Sequence, residues 1–167
     1  VILLDSIIHT AINPAFKLLP AKMDSDAARV MMLAIGLQES RFQYRFQKVT
    51  GNPYAKGPAR GFWQFERGGG VVGVCSHRHT RELAEAVCKA QGVPFDSSMI
   101  HARLEFDDVL AAAFARLLLW ADSKPLPGVD ASHDEAWDCY TRSWRPGKPH
   151  RGTWDAFHEQ ARAQVFA

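Results

Sequence analysis

Apolar positions recur along this chain at the three- and four-residue intervals of helices, and the alternation of a half-buried strand is nearly absent. Over residues 2–12, Ile2, Leu3, Leu4, Ile7, Ile8, Ala11 and Ile12 form a broad stripe. The helix they predict should stop at Asn13-Pro14, because proline lacks an N–H and its ring crowds the preceding turn. A second helix should start near Asp24 or Ser25, either of which makes a good N-cap. It carries Ala28, Met31, Met32 and Ile35 and reaches Gln38 and Glu39, and its stretch from Val30 to Leu37 is apolar almost all round, the mark of a core helix. From Gln43 to Gly61 the periodicity gives way to turn signals, Gly51-Asn52-Pro53 and Gly57-Pro58. The aromatic run Phe62-Trp63-Gln64-Phe65 follows, then Gly68-Gly69-Gly70. Phe62–Phe65 and Val71–Val74 are the two stretches with some strand character. Further helices are predicted over residues 78–91, 104–122, 133–145 and 152–165. No repeat or low-complexity linker interrupts the pattern, so the prediction is one mainly α domain over residues 1–167, with at most a minor β element.

Composition narrows the function classes. The 167 residues are 47% hydrophobic and 23% charged, the balance of an ordinary globular protein, so a disordered chain is not expected. The net charge of +2 is slight, and the nearest approach to a basic cluster, Trp144-Arg145-Pro146-Gly147-Lys148-Pro149-His150-Arg151, is too sparse for a nucleic-acid binder. The longest apolar run, Val109–Ala121, contains Arg116 and falls short of the ~20 residues that a membrane span needs. Cys75, Cys88 and Cys139 form no C-x-x-C pair and no disulfide framework, so buried thiols are expected. The chain begins without Met, as a fragment or processed product would. It has no basic segment ahead of its first apolar run, which Asp5 and His9 interrupt, so no signal peptide is expected.

Chemistry concentrates at Gln38-Glu39-Ser40-Arg41-Phe42, which closes the core helix. A glutamate after a long apolar stretch sits where desolvation disfavours its carboxylate and raises its pKa, as a general acid working near neutral pH requires. Taken singly, the features around it have plainer explanations: Glu39 as an exposed helix-end residue, Tyr140 as a core tyrosine, Phe62 and Trp63 as core aromatics. Gln64 is harder to dismiss, since an amide between Trp63 and Phe65 needs a hydrogen-bond partner, and a sugar hydroxyl would serve. Cys75-Ser76-His77-Arg78-His79, with Cys88 and His101, holds zinc-capable side chains but no structural-zinc spacing, so solvated histidines and no metal or cofactor are expected.

Taken in order, Glu39-Ser40-Arg41-Phe42, Gly61-Phe62-Trp63-Gln64, the helix opening at Asp107-Asp108, and Cys139-Tyr140-Thr141 resemble the soluble-type lytic transglycosylases and their goose-type lysozyme relatives. The family pattern is Glu-Ser after a core helix, Gly-Leu-Met-Gln, an acidic or amide helix start, then Ala-Tyr-Asn. The first block matches fully, the second keeps Gly and Gln around larger residues, and the third keeps only Tyr140. The resemblance spans residues 24–145. It implies a lysozyme-like fold and cleavage of peptidoglycan glycan strands. Glu39 would protonate the oxygen between N-acetylmuramic acid and N-acetylglucosamine, with Tyr140 beside it. The carboxylate would then take the proton of the muramic acid C6 hydroxyl, closing a 1,6-anhydro ring where a hydrolase admits water. Ser40 would orient the backbone or the acid, and Gly61, Phe62, Trp63 and Gln64 would line the sugar cleft.

Glycoside hydrolysis ordinarily needs two carboxyl groups. Glu66, just past the second block, is the best second carboxylate and keeps a hydrolytic alternative open. Asp107 and Asp108 are better explained as helix-start residues. A glycan-binding or virion-structural module without turnover is the other alternative, since fold does not fix function. The slight positive charge suits an anionic cell wall. The expected partner is therefore the peptidoglycan strand, with no nucleic acid and no membrane span, for a monomer or a domain of a larger protein. A wall-cutting domain without an export signal points to a bacteriophage product, either an endolysin or a wall-penetrating part of a virion.

Overall fold

The computed structural model describes residues 4–167, so Ile2 and Leu3 of the predicted first helix lie outside the described residues. The fold is mainly helical with one two-stranded antiparallel sheet. The first helix does not stop at Asn13-Pro14. It runs from α1 (Leu4–Ile7) through a π turn (Ile8–Ile12) into α2 (Asn13–Lys17). In the wide turn the Asn13 N–H reaches the Ile8 carbonyl, five residues back. Widening the helix just ahead of Pro14 lets the ring follow without breaking it.

The core helix α3 (Asp26–Ser40) starts where its cap predicts, with the Ser25 hydroxyl accepting from the Ala28 N–H at 3.1 Å. It is buried from Val30 through Leu37 and packs along α9 (Arg151–Val165), touching α7 (Asp108–Trp120) and α8 (His133–Trp144) as well. Asp107 caps α7, its carboxylate accepting from the Leu110 N–H at 2.9 Å, while Asp108 pairs with Arg45 through two bonds of 2.8 and 2.9 Å. Arg116 sits inside the apolar α7, where its Nε donates to the Met23 carbonyl at 2.8 Å and burial lowers its pKa to about 10. Cys88 and Cys139 are buried and Cys75 partly so, all three as free thiols. Burial pushes the pKa of Cys75 and of Cys139 up to about 11, and that of Cys88 to about 12. Among the described residues no helix is long and apolar enough to cross a membrane.

The sheet is not where the sequence suggests. It is the hairpin β1 (Phe46–Val49) and β2 (Asn52–Arg60), inside the stretch that reads as turns. Hydrophobic alternation is missing because the less exposed face of β2 carries only the small Ala55, Gly57 and Ala59, of which Ala59 alone is buried. Phe62–Phe65 is a reversal instead of a strand, with Gly61 (φ 77°) and Gln64 (φ 52°) both left-handed. Only an isolated bridge between Arg60 and Phe65 remains of its strand character. Val71–Val74 is helical, entering α4 (Val72–Ser76) from a π turn at Arg67–Val71. Two short surface helices follow, α5 (Arg81–Ala90) and α6 (Ser97–Arg103). The second is absent from the sequence-based pattern and is capped by Asp96, which accepts from the Met99 N–H at 3.0 Å.

Candidate active site

The end of α3 is held by local chemistry that the sequence encodes within seven residues. Arg41 and Phe42 both take left-handed backbone conformations, with φ of 53° each. Such conformations cost roughly 1–2 kcal/mol per non-glycine residue, so something must hold them. Phe42 is wholly buried and folds back over α3 onto Gly36, where a Cβ would stand 2.1 Å from its ring. It also meets Phe62 and Trp63 edge-on, with ring centroids 5.4 and 5.6 Å away. The Ser40 hydroxyl completes the corner: it donates to the Phe62 carbonyl at 2.7 Å and accepts from the Phe42 N–H at 3.1 Å. Glu39 is thereby fixed between a core helix and a sharp reversal.

A second wall rises from α8 and α9. The Tyr140 hydroxyl donates to Glu39 Oε1 at 2.6 Å. The Tyr140 ring lies parallel to Trp154 at 5.1 Å and 8°, and Trp154 lies parallel to the buried His158 at 5.9 Å and 9°. His158 in turn shares a hydrogen bond with His133, Nδ1 to Nδ1, at 2.8 Å. Burial, then the charge of His133, lowers the His158 pKa to about 4, which keeps this pair from holding two charges. Trp144, one turn beyond Tyr140, donates its indole N–H to the Trp63 carbonyl at 2.9 Å, and Trp63 donates to the Met32 carbonyl at 2.8 Å. The chain of contacts α8–Trp63–α3 ties the tyrosine's helix to the glutamate's.

Glu39 and Tyr140 face an open cleft of about 1220 Å³. Burial disfavours the Glu39 carboxylate and raises its pKa from 4.5 to about 7, against the opposing pull of the Tyr140 hydrogen bond. Burial, and then the neighbouring Glu39, also raises the pKa of Tyr140, so its hydroxyl keeps its proton. The Tyr44 hydroxyl donates to the Glu39 backbone carbonyl at 3.1 Å. Also lining the cleft, Asp122 makes a two-pronged pair with Arg142, the closest contact being 2.6 Å. Burial works against the charge of Asp122, yet the bonds from Arg142 and the Lys124 N–H hold its carboxyl below the usual range. A carboxylic acid half-protonated near neutral pH can give a proton and take one back, which is general acid–base chemistry. Among the described residues no group of three or more His, Cys, Asp or Glu side chains is placed to hold a metal.

Of the residues singled out in the sequence, Glu39, Gln64, Glu66 and Tyr140 line this cleft. Ser40, Phe62 and Trp63 do not: each is wholly buried. The expected lining of the cleft by Phe62 and Trp63 is corrected to a role in shaping the corner beneath Glu39, where Ser40 bonds the backbone. The resemblance placed both rings in the sugar cleft, but the chain reverses at Gly61 and both are buried, as their reading as core aromatics has it. Gly61 is likewise beneath the cleft, where an added Cβ would lie 3.0 Å from the Leu104 carbonyl. Gln64 spends one amide N–H on the Gly61 carbonyl at 2.9 Å, so part of the amide is satisfied within the turn, and its second N–H and its oxygen have no hydrogen-bond partner among the described residues. Glu66 is exposed on the rim.

Sequence reading missed Tyr44, Thr153 and the Asp122–Arg142 pair, and gave Gln38 no role of its own. Gln38 donates to the His150 carbonyl at 2.9 Å and accepts from the Thr153 hydroxyl at 3.0 Å, pinning the α8–α9 loop beside Glu39. These contacts join positions 112 and 115 residues apart, which no local pattern announces. The Ser143 hydroxyl, in the same wall, is the one buried side-chain polar atom among the described residues without a partner. No family model matches the chain, and comparison with curated proteins and with solved structures finds no match to it.

Proposed function

We propose that the protein cleaves the β-1,4 bond between N-acetylmuramic acid and N-acetylglucosamine in peptidoglycan, as a lytic transglycosylase with Glu39 as both acid and base. The observation that carries the reading is a single carboxyl, raised to about 7 by burial and gripped by a tyrosine at 2.6 Å, opening on a cleft of about 1220 Å³. That space exceeds the ~300–1,000 Å³ of a typical small-molecule site and suits a polymer. Protonated Glu39 gives its proton to the bridging oxygen, and the bond from that oxygen to the muramic acid C1 breaks. The Tyr140 hydroxyl stabilises the carboxylate so formed, since a hydrogen bond to the charged form favours it. The carboxylate then takes the C6 hydroxyl proton while O6 bonds to C1. Glu39 ends protonated, and no water enters.

Hydrolysis by a water held on Glu66 is the second reading, favoured by one observation: Glu66 lines the same cleft. Asp122 serves less well because Arg142 already occupies it. Digestion of purified sacculi followed by mass spectrometry separates the two, since anhydro and reducing ends differ by one water. Anhydromuramic ends, with a Glu66→Gln variant retaining most of the rate, are expected. Reducing ends alone, with Glu66→Gln losing a large factor, would establish hydrolysis. Failure to release any fragment would reject both.

A further inference from the structure

The cleft carries an uneven set of charges. Arg41, Lys48, Arg145 and Lys148 all line it, all are exposed, and none makes an ion pair among the described residues. Against them stand Glu66 on the rim, Asp122 already neutralised by Arg142, and Glu39, whose charge burial halves at neutral pH. Each free cation is linked, along the chain or through one contact, to a residue at or bonded to the Glu39 segment. Arg41 follows Glu39 by two residues and lies over the Phe157 ring at 5.6 Å. Lys48 lies 5.5 Å over the Tyr44 ring, whose hydroxyl binds the Glu39 carbonyl. Arg145 caps α8 in a left-handed conformation, φ 49°, five residues past Tyr140. Lys148 belongs to the loop that Gln38 holds through His150.

None of the four answers the Glu39 carboxyl itself, whose shift comes from burial and Tyr140 alone. Their charges are therefore available to a ligand in the cleft. Cations facing a low-dielectric wall concentrate oppositely charged substrate, and exposed unpaired charges keep that role only at modest ionic strength. Building on the proposed function, we propose that Arg41, Lys48, Arg145 and Lys148 select carboxylate-bearing glycan strands over neutral ones. In a peptidoglycan strand those carboxylates come from the peptide stems or, where stems are removed, from the lactyl groups of muramic acid.

The test is binding of the full chain carrying Glu39→Gln, which leaves the strands uncut, to three soluble ligands of equal sugar length. These are strands with stems, strands stripped of stems by an amidase, and chitooligosaccharides, which have no carboxylate. At low salt the stem-bearing strands are expected to bind about tenfold or more tighter than the chitooligosaccharides, and the gap should close as salt is raised. Adding Arg145→Gln and Lys148→Gln should shrink the gap while leaving chitooligosaccharide affinity unchanged. Stripped strands binding like stem-bearing ones would assign the selection to lactyl carboxylates, and stripped strands binding like chitooligosaccharides would assign it to the stems. Equal affinity for all three ligands, or a gap untouched by the double substitution, would overturn the proposal. Selective binding by an unsubstituted chain that cuts no strand would overturn the proposed function and leave this inference standing.

Discussion

The two walls of the cleft are built on opposite plans. On the side of α3, α8 and α9, Glu39 rests on a buried corner, Tyr140 is clamped in a stack with Trp154 and His158, and indole N–H groups bond to carbonyls of neighbouring segments. On the other side stand the hairpin, the rim at Glu66 and the triple glycine, largely exposed, with Tyr54 at 94% of its full exposure. A packed wall holds one group to within a fraction of an ångström, as proton transfer requires. A wall with few buried contacts opens at little cost and can follow a substrate whose substituents vary along its length. The contrast puts positional accuracy where the proposed chemistry needs it and leaves compliance to the opposite rim.

The largest expected effect comes from erasing the acid. Glu39→Gln should lower the rate of sacculus clearing by on the order of 100-fold or more while circular dichroism stays unchanged. It should also stabilise the fold at alkaline pH. The Glu39 pKa stands at about 7 in the fold against an ordinary 4.5, so its contribution to stability is complete below 4.5 and lost as pH rises through 7. The loss is on the order of 3 kcal/mol. The Gln variant should therefore gain on the wild type in denaturant melts at pH 8 and show no such gain at pH 4. Equal melts at both values would mean that Glu39 titrates normally.

Weakening the grip on the acid comes next. Activity should be full below about pH 7 and fall above it as Glu39 loses its proton. Tyr140→Phe removes a bond that favours the carboxylate, so Glu39 should hold its proton more tightly and the alkaline limb should move to higher pH. Turnover should fall more than substrate affinity. A limb that stays in place would reduce Tyr140 to a packing residue. Ser40→Ala, which touches neither cleft nor ligand, should cost about 1–3 kcal/mol of stability by stranding the buried Phe62 carbonyl and Phe42 N–H. It should also lower the rate, because Glu39 is its neighbour. The smallest effect belongs to the compliant wall. Tyr54→Ala should shift stability by no more than about 0.5 kcal/mol, and a larger loss would show that the hairpin is not the loose partner described here.

This asymmetry also governs what could be read from the sequence. The packed wall announces itself locally: an apolar run ending in Glu39-Ser40, a serine cap at Ser25, an aspartate cap at Asp107. Tyr140 is found only through its order relative to the other blocks, since its partner lies 101 residues away. Phe62 and Trp63 read as core aromatics from residue type, and the family pattern misplaces them because it says nothing of direction, which the left-handed turn at Gly61 and Gln64 decides. The hairpin leaves almost no trace, because the less exposed face of β2 is Ala55, Gly57 and Ala59, too small to stand out as an apolar alternation. Helix α6 escapes for a related reason, as its seven residues bury only Ile100.

Gly36 has no room for a side chain. With the Phe42 ring seated on its Cα and the reversal of Arg41 and Phe42 depending on that seat, position 36 has an alphabet of one letter. A saturation library should return only glycine there, although the residue touches no ligand and lies in mid-helix, where glycine is otherwise a poor choice. The spaced set Gly36, Glu39, Ser40 and Phe42 is thus a more selective query for distant sequences than the Glu-Ser pair alone. A chain that carries all four has the means to form the corner as well as the carboxyl that stands on it.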